Sequence, residues 1–465
     1  MKFLEAFANI FRVPDLRKRL LFTLGLLAVY RLGSQIPVPG INVQSLEDFF
    51  NSAQGSIFGF FDLFAGGNLR RLTIFALGIM PYITASIVLQ LLTVVVPRLE
   101  RIQKEGELGR RKITQWTRYL TIVLSIVQAF LIAQGLEGMQ SGIVLDPGFG
   151  FVLLTILSLT TGTAFIMWLG EQISERGVGN GMSLIIFTGI VVSLPRWIGS
   201  VYTNTFVTHE WDALTLIVLL VMMVAVVAFV VLVERAERRI PVQYATRLVG
   251  RRVMGGQPSH MPLKLNTGGV IPVIFASSML AFPQTLTAIP AVKNIAWLAG
   301  TLKSIQHGEP LYYLLFVAGI MFFCFFYVSI IFNPHEAADN MRKYGGFIPG
   351  IRPGRNTAGH MNHILTKITV VGGIYLSILC LIPEMIIWGI KLNHLPLIGN
   401  WIDQVAPRFL LDGLNVQFYF GGTSLLIVVG VAMDTINQIE AQLVMRHYDG
   451  FTPRSGRIRG RRNTF

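Results

Sequence analysis

The sequence predicts an all-α polytopic membrane protein with ten transmembrane helices in two inverted five-helix halves. Three observations predict it. Of 465 residues, 52% are hydrophobic and only 14% charged, against about 25% charged in an ordinary soluble domain. Ten stretches reach the roughly 20 mostly apolar residues needed to cross a hydrocarbon core. Lysine and arginine are concentrated in alternate loops. Length alone would suggest two or three soluble domains, but composition outranks that prior.

The spans are expected at 20–38, 72–97, 116–136, 150–170, 182–202, 213–233, 268–289, 311–333, 366–388 and 418–440. The first is followed by PVPG rather than by a small-residue cleavage site, so it reads as a span and not as a signal peptide. The net charge is +14, and 31 of the 39 Lys and Arg fall in the loops that share the N-terminal side. The other eight, Arg31, Arg70, Arg71, Arg196, Lys293, Lys303, Lys391 and Arg408, lie on the opposite side. That bias places both termini in the cytoplasm. Cys324 and Cys380 sit in apolar runs, where a thiol behaves as a small hydrophobe, so no disulfide framework is expected.

Ten spans divide into two sets of five, and an odd number per set inverts the second set relative to the first. The halves are expected at 1–202 and 203–440, with a basic cytoplasmic tail at 441–465. An internal repeat supports the division. Residues 78–86 read GIMPYITAS and residues 269–277 read GVIPVIFAS, so Gly, Pro, Ile, Ala and Ser recur in register in the second span of each half.

Spans 2, 4, 6, 7 and 8 contain no ionisable residue, which argues against a coupled transporter or proton relay, since these keep charge at membrane depth. Arg31, Glu384 and Asp434 lie near span ends, where snorkelling or pairing accounts for them. HEAAD at 335–339 lacks the second histidine of a zinc-protease helix, since that position is Asp339. His360 and His363, in a basic loop without a Cys or carboxylate cluster, read as solvated. GVGNG at 177–181 has neither the preceding strand nor the following lysine of a phosphate cradle and reads as a tight turn. No enzyme signature, cofactor site or metal site is predicted.

Three further segments invite a functional reading. Residues 55–71, GSIFGFFDLFAGGNLRR, are too short to span; they either re-enter the membrane as a half-helix or lie on its outer surface, and periodicity leaves both open. Ile79 and Ile83 lie one turn apart, as do Ile186 and Ile190. Such faces can line a hydrophobic constriction, although lipid contact would select the same letters. The cytoplasmic loops 234–267 and 334–365 are longer than a connection requires and carry Arg, Pro, Gly and aromatics. They read as structured, protruding loops that dock a large partner through RNA phosphate or acidic protein surfaces.

TIFALGIMPYITASIVLQLL (73–92) and WLGEQISERGVGNGMSLII (168–186) closely resemble the two long signatures of the SecY family of protein-conducting channels. The resemblance extends through RLGSQIPVPGI (31–41), Arg251 and Arg252, GGVIPVIFASS (268–278), FIPGIRPG (347–354) and FGGTSLLIVV (420–429). The tail RSGRIRGRRNTF (454–465) is more basic than the family pattern.

The resemblance implies a clamshell around a central pore, hinged at the loop between spans 5 and 6. It implies a pore ring of Ile79, Ile83, Ile186, Ile190, Ile274 and Ile427. A plug at about 57–67 would comprise Ile57, Phe58, Phe60, Phe61, Leu63, Phe64, Gly66 and Gly67. The lateral gate between spans 2 and 7 would carry Ser86, Gln90, Ser277, Ser278 and Phe282, while Arg251, Arg252 and Arg352 would contact the SecA motor ATPase or the ribosome and its rRNA. Implied partners are the small subunits SecE and SecG, SecA, the ribosome, signal sequences, nascent polypeptides and membrane lipids; the wider set takes in SecD, SecF and YidC. The implied setting is the bacterial plasma membrane, and the implied activity is non-enzymatic. The rivals are an inverted-repeat transporter with a buried coupling residue, and a membrane protease or lipid-modifying enzyme with a convergent catalytic set.

Overall fold

The computed structural model describes residues 13–52, 65–138, 142–207, 213–244, 247–249, 252–254, 259–285, 300–302, 304–305, 308–388 and 422–449. Each of the ten apolar stretches carries a helix. The first, α1 (Pro14–Gly33), opens on Pro14 with Asp15 in its first turn and closes with Arg31 in its last, both favourable to the helix dipole. The short α2 (Val43–Ser52) is capped by Asn42, whose Oδ1 accepts from the backbone N–H groups of Gln44 and Ser45 at 3.2 and 3.3 Å.

The second stretch departs from expectation. Hydropathy runs from 72, but α3 covers only Met80–Val95, and residues 65–79 form successive turns. Their buried backbone is satisfied by the chain after α1: Val38 N–H donates to Leu72 O at 2.8 Å and Ile74 N–H to Ile36 O at 3.0 Å. At the other end Val96 is extended (φ −100°, ψ 109°) ahead of Pro97, as the steric demand of a proline requires. The next helix, α4 (Pro97–Lys104), leaves at 101°. On this exposed corner Lys104 bonds Glu100 at 2.7 Å and holds its carboxyl below the usual carboxylate range.

An antiparallel pair follows, α5 (Glu107–Glu137) and α6 (Phe149–Arg176), tied by Arg118 Nε to Glu171 Oε1 at 2.8 Å. After a tight turn come α7 (Gly181–Tyr202), a π-turn at Thr203–Val207, and α8 (Ala213–Arg235). The C-terminal part adds α9 (Ile271–Thr285), α10 (Pro310–Ile331), α11 (Pro334–Lys343), α12 (Arg355–Trp388) and α13 (Gly422–Asp449). Among the described residues five helices are long and apolar enough to cross a membrane, or six if the bent α3–α4 pair counts as one.

The fold is not helical throughout. The loop after α8 forms β1 (Glu237–Tyr244), β2 (Arg247–Val249), β3 (Arg252–Met254) and β4 (Ser259–Lys264). The two-residue β5 (Gly346–Phe347) joins them from the loop before α12, giving the sheet order β4-β1-β5. Pairing of Gln243 with Phe347 thus fuses the two long loops into one body, over a core of Ile240, Leu263, Ile348, Met361 and Leu365. His360 and His363 lie on α12, not in a loop, because that helix starts well before its apolar stretch. HEAAD opens α11, with Asn333 Oδ1 accepting from His335 N–H at 3.1 Å.

Candidate functional site

The internal repeat is a structural repeat. Gly78 and Gly269 hold φ of +57° and +59°, a left-handed conformation that glycine adopts at little cost. Each is followed two residues later by a helix opening on an apolar residue and a proline: Met80–Pro81 in α3, Ile271–Pro272 in α9. The first turns close alike, Ile83 N–H on Ile79 O at 3.1 Å and Ile274 N–H on Val270 O at 3.2 Å. Sequence equivalence of Ile79 with Val270 and Ile83 with Ile274 is therefore equivalence of position on the helix.

These two helices pack against each other, and Ser278 Oγ on α9 meets Met80 Sδ on α3 at 4.0 Å. Ser277 and Ser278 are both buried, and Ser277 bonds back to Ile274 O at 3.0 Å. Ser86 and Gln90 pair along α3 at 3.3 Å. Phe282 lies on α9, and its side chain is outside the described residues. Neither α3 nor α9 carries an acidic, basic or histidine side chain.

Ile79, Ile83, Ile186, Ile190, Ile274 and Ile427 fall in one buried apolar cluster, none more than 7% exposed and Ile427 fully covered. Four separate elements supply them: the start of α3, the first half of α7, α9 and α13. The resemblance named these six but missed Val270, which is 6% exposed, lies in the same cluster and packs against Gly430 of α13. The signal was present, since Val270 is the repeat counterpart of Ile79.

The segment before α3 is fastened beside this cluster. Gly66 (φ +72°) lies directly on Gly189 of α7; a Cβ at Gly66 would stand 2.8 Å from Gly189 Cα. Asn68, 1% exposed, donates from Nδ2 to the Tyr30 hydroxyl of α1 at 3.3 Å, and Tyr30 stacks on Phe75 at 5.7 Å. Gly189 immediately precedes Ile190, so Gly66 reaches α7 beside the isoleucine cluster. Ile57, Phe58, Phe60, Phe61, Leu63 and Phe64 lie outside the described residues.

The start of α9 is held from the other side. Asn266, 4% exposed, donates from Nδ2 to Glu234 Oε1 of α8 at 2.6 Å and to Gly269 O at 3.1 Å. The sheet lies beyond it, since Leu265 N–H bonds Ala236 O at 2.9 Å where β4 leaves for α9. Arg352 is exposed in the turn before α12, Arg252 lies in β3, and Arg251 is outside the described residues. Arg252 and Arg352 thus lie on elements apart from the isoleucine cluster. Among the described residues no group of three or more His, Cys, Asp or Glu is placed to hold a metal. Cys324 and Cys380 are buried.

With this geometry in hand, comparison with known proteins is direct. The SecY family model matches residues 73–436. "Protein translocase subunit SecY" of Escherichia coli (strain K12) is 48% identical over 438 residues, covering 94% of this chain and 93% of that one. The protein of the same name from Streptomyces galbus is 46% identical over 459 residues, covering 96% and 99%. Among solved structures, one described as "The structure of a protein conducting channel" matches with TM-score 0.61 at 17% identity, covering 94% of both chains. "Sec61 in the Canine ribosome-channel complex from the endoplasmic reticulum" matches at TM-score 0.57 and 16% identity, again over 94% of each chain.

Proposed function

The chain belongs to the SecY family, and on that premise we propose that it is the central subunit of a bacterial protein-conducting channel. It passes unfolded secretory polypeptides across the plasma membrane and releases signal and transmembrane helices sideways into lipid. The convergence of six isoleucines from four elements into one buried, uncharged cluster beside the α3–α9 contact carries this reading. In it the ten helices form two inverted halves, 1–202 and 203–440, around a pore closed at that cluster. The tail 441–465 and both termini face the cytoplasm.

The chemistry follows from the side chains. Branched apolar groups close around a chain of any sequence and keep ions out by dewetting, while offering no polar partner that would trap it. The plug at 57–67 completes the seal from the side of Gly66 and Gly67. The Ser278–Met80 contact is weak for a helix–helix junction. An apolar signal that wedges between α3 and α9, past Ser86, Gln90, Ser277, Ser278 and Phe282, replaces the apolar contacts it parts with its own and has no ion pair to break. It gains burial in lipid worth about 25 cal/mol per Å². Force comes from outside, from SecA or a translating ribosome docked on Arg251, Arg252 and Arg352 of the fused loops, with SecE and SecG completing the complex. The protein itself performs no covalent chemistry.

Replacing Ile83, Ile186 and Ile427 together with glycine removes the seal from three elements at once. Vesicles holding the full complex should then leak ions faster, and poorly hydrophobic signals should gain entry. A conductance equal to the parent's would remove the ring from the mechanism.

A further inference from the structure

The glycine-rich turn between α6 and α7, residues 177–180, plays no part in the account so far, yet side chains from two other helices hold it. Two successive backbone N–H groups reach opposite partners. Val178 N–H donates to Thr23 Oγ1 of α1 at 3.0 Å, and Gly179 N–H donates to Gln438 Oε1 of α13 at 3.1 Å. Thr23 is 5% exposed and spends its own proton on Arg19 O at 3.0 Å, which leaves its lone pairs for the turn. Gly179 holds φ +87°, and a Cβ there would come within 2.9 Å of Leu184 and 3.2 Å of Thr435 Oγ1, so α13 rests on bare backbone. The Val178 side chain packs among Leu16 of α1 and Ile439 and Leu443 of α13. The turn is rigid in itself: Ser174 Oγ accepts from Gly181 N–H at 2.9 Å, and Asn180 Oδ1 accepts from Met182 N–H at 3.2 Å.

This seat lies at one end of α7. The other end runs into the π-turn Thr203–Val207, on the path that joins the halves covalently. A helix of 22 residues separates its ends by about 33 Å at 1.5 Å per residue. Two attachments at the two ends of one helix define an axis. Ile427 and Gln438 stand eleven residues apart on α13, about three turns, and so share one face. Val431 and Thr435 lie between them on that face, joined by Thr435 Oγ1 to Val431 O at 2.7 Å.

We infer that the 177–180 turn and Gln438 form a second, non-covalent bearing for the hinge, with α7 as its pin, and that this bearing sets where Ile427 stands against Ile186 and Ile190. The inference rests on the two-halves channel reading. Gln438 is thereby a positioning residue. It touches no substrate and acts through the rotation of α13.

The test uses the full-length chain in its complex, reconstituted in lipid vesicles. One readout is chloride efflux; the other is the rate of disulfide formation between cysteines introduced by Met80→Cys and Ser278→Cys, which reports the closed gate. Gln438→Leu keeps the bulk and removes the acceptor. It should raise efflux and slow the gate disulfide by about threefold, the scale of one solvent-exposed hydrogen bond at the low end of its range. Gln438→Glu keeps an acceptor and should restore both parental values, which a role in packing alone does not predict. Gln438→Ala repeats the loss through a smaller side chain, should the leucine variant not accumulate. Efflux and crosslinking unchanged in the Leu and Ala variants, in a complex that imports polypeptide normally, overturns the bearing. A parent complex that imports no polypeptide overturns the channel reading instead.

Discussion

Gly66 concentrates several demands on a residue that has no side chain. Its φ of +72° disfavours any L side chain, and a Cβ would strike the backbone of Gly189, which cannot rotate away. A left-handed conformation alone costs about 1–2 kcal/mol for a non-glycine residue. Gly66→Ala should therefore lower the thermal midpoint and raise the ion leak as residues 65–68 lift from α7. Gly25→Ala, with nothing within 4 Å of the new methyl, should leave both unchanged; equal effects of the two would remove the Gly66–Gly189 contact from the account. At this scale the sequence was only partly legible. Ile79 and Ile83 show one face by spacing, but letters alone cannot say whether lipid or protein covers it, because both favour isoleucine. Motif likeness to the family named the six isoleucines, and the fold brings them together. Val270 escaped because the ring was carried over from the family residue by residue, although it lies inside the 268–278 motif and the repeat makes it the counterpart of Ile79.

Among elements, helix existence was easier to read than helix limits. Every apolar stretch carries a helix, but α3 starts at Met80 rather than 72, since left-handed backbone at Leu72 (φ +38°) and Gly78 (φ +57°) interrupts a run that stays apolar throughout. Hydropathy measures solvent preference and is blind to φ. Conversely α12 begins at Arg355, far ahead of its apolar part, because its first turns pack against α11 and the sheet rather than lipid. The β1–β5 pairing joins segments about a hundred residues apart, and no local pattern announces it. Helix α9, one lip of the proposed gate, has its own element-level test. Asn266→Leu removes both bonds that fix its first turn and leaves the Glu234 carboxylate without that donor, a loss of about 1–3 kcal/mol for a buried polar group. The variant should show a slower gate disulfide with α8 and α10 still helical by hydrogen exchange. A gate unaffected by Asn266→Leu would mean that Pro272 and packing alone set the start of α9.

Across the molecule, the GIMPYITAS–GVIPVIFAS repeat led to the expectation of two related halves, and the repeat itself reappears as a common helix start with matched φ at Gly78 and Gly269. What the sequence hid was the contact between the 177–180 turn and α13. Gly179 and Gln438 lie 259 positions apart and carry no joint signature. In the proposed reading, a pore closed at the isoleucine cluster, a gate at Ser278–Met80 and a bearing at the 177–180 turn act as one mechanical system about α7, with the fused cytoplasmic loops as the surface on which a motor pushes. The central claim is that a polypeptide passes between the repeated helices. It is tested most directly by photocrosslinking probes at Ile83 on α3 and Ile274 on α9, in bilayers, with a secretory chain stalled by SecA or a ribosome. Crosslinks to the chain from both positions are the predicted result. With partner docking confirmed, crosslinks from neither would contradict the account and point to a small-solute pathway in its place.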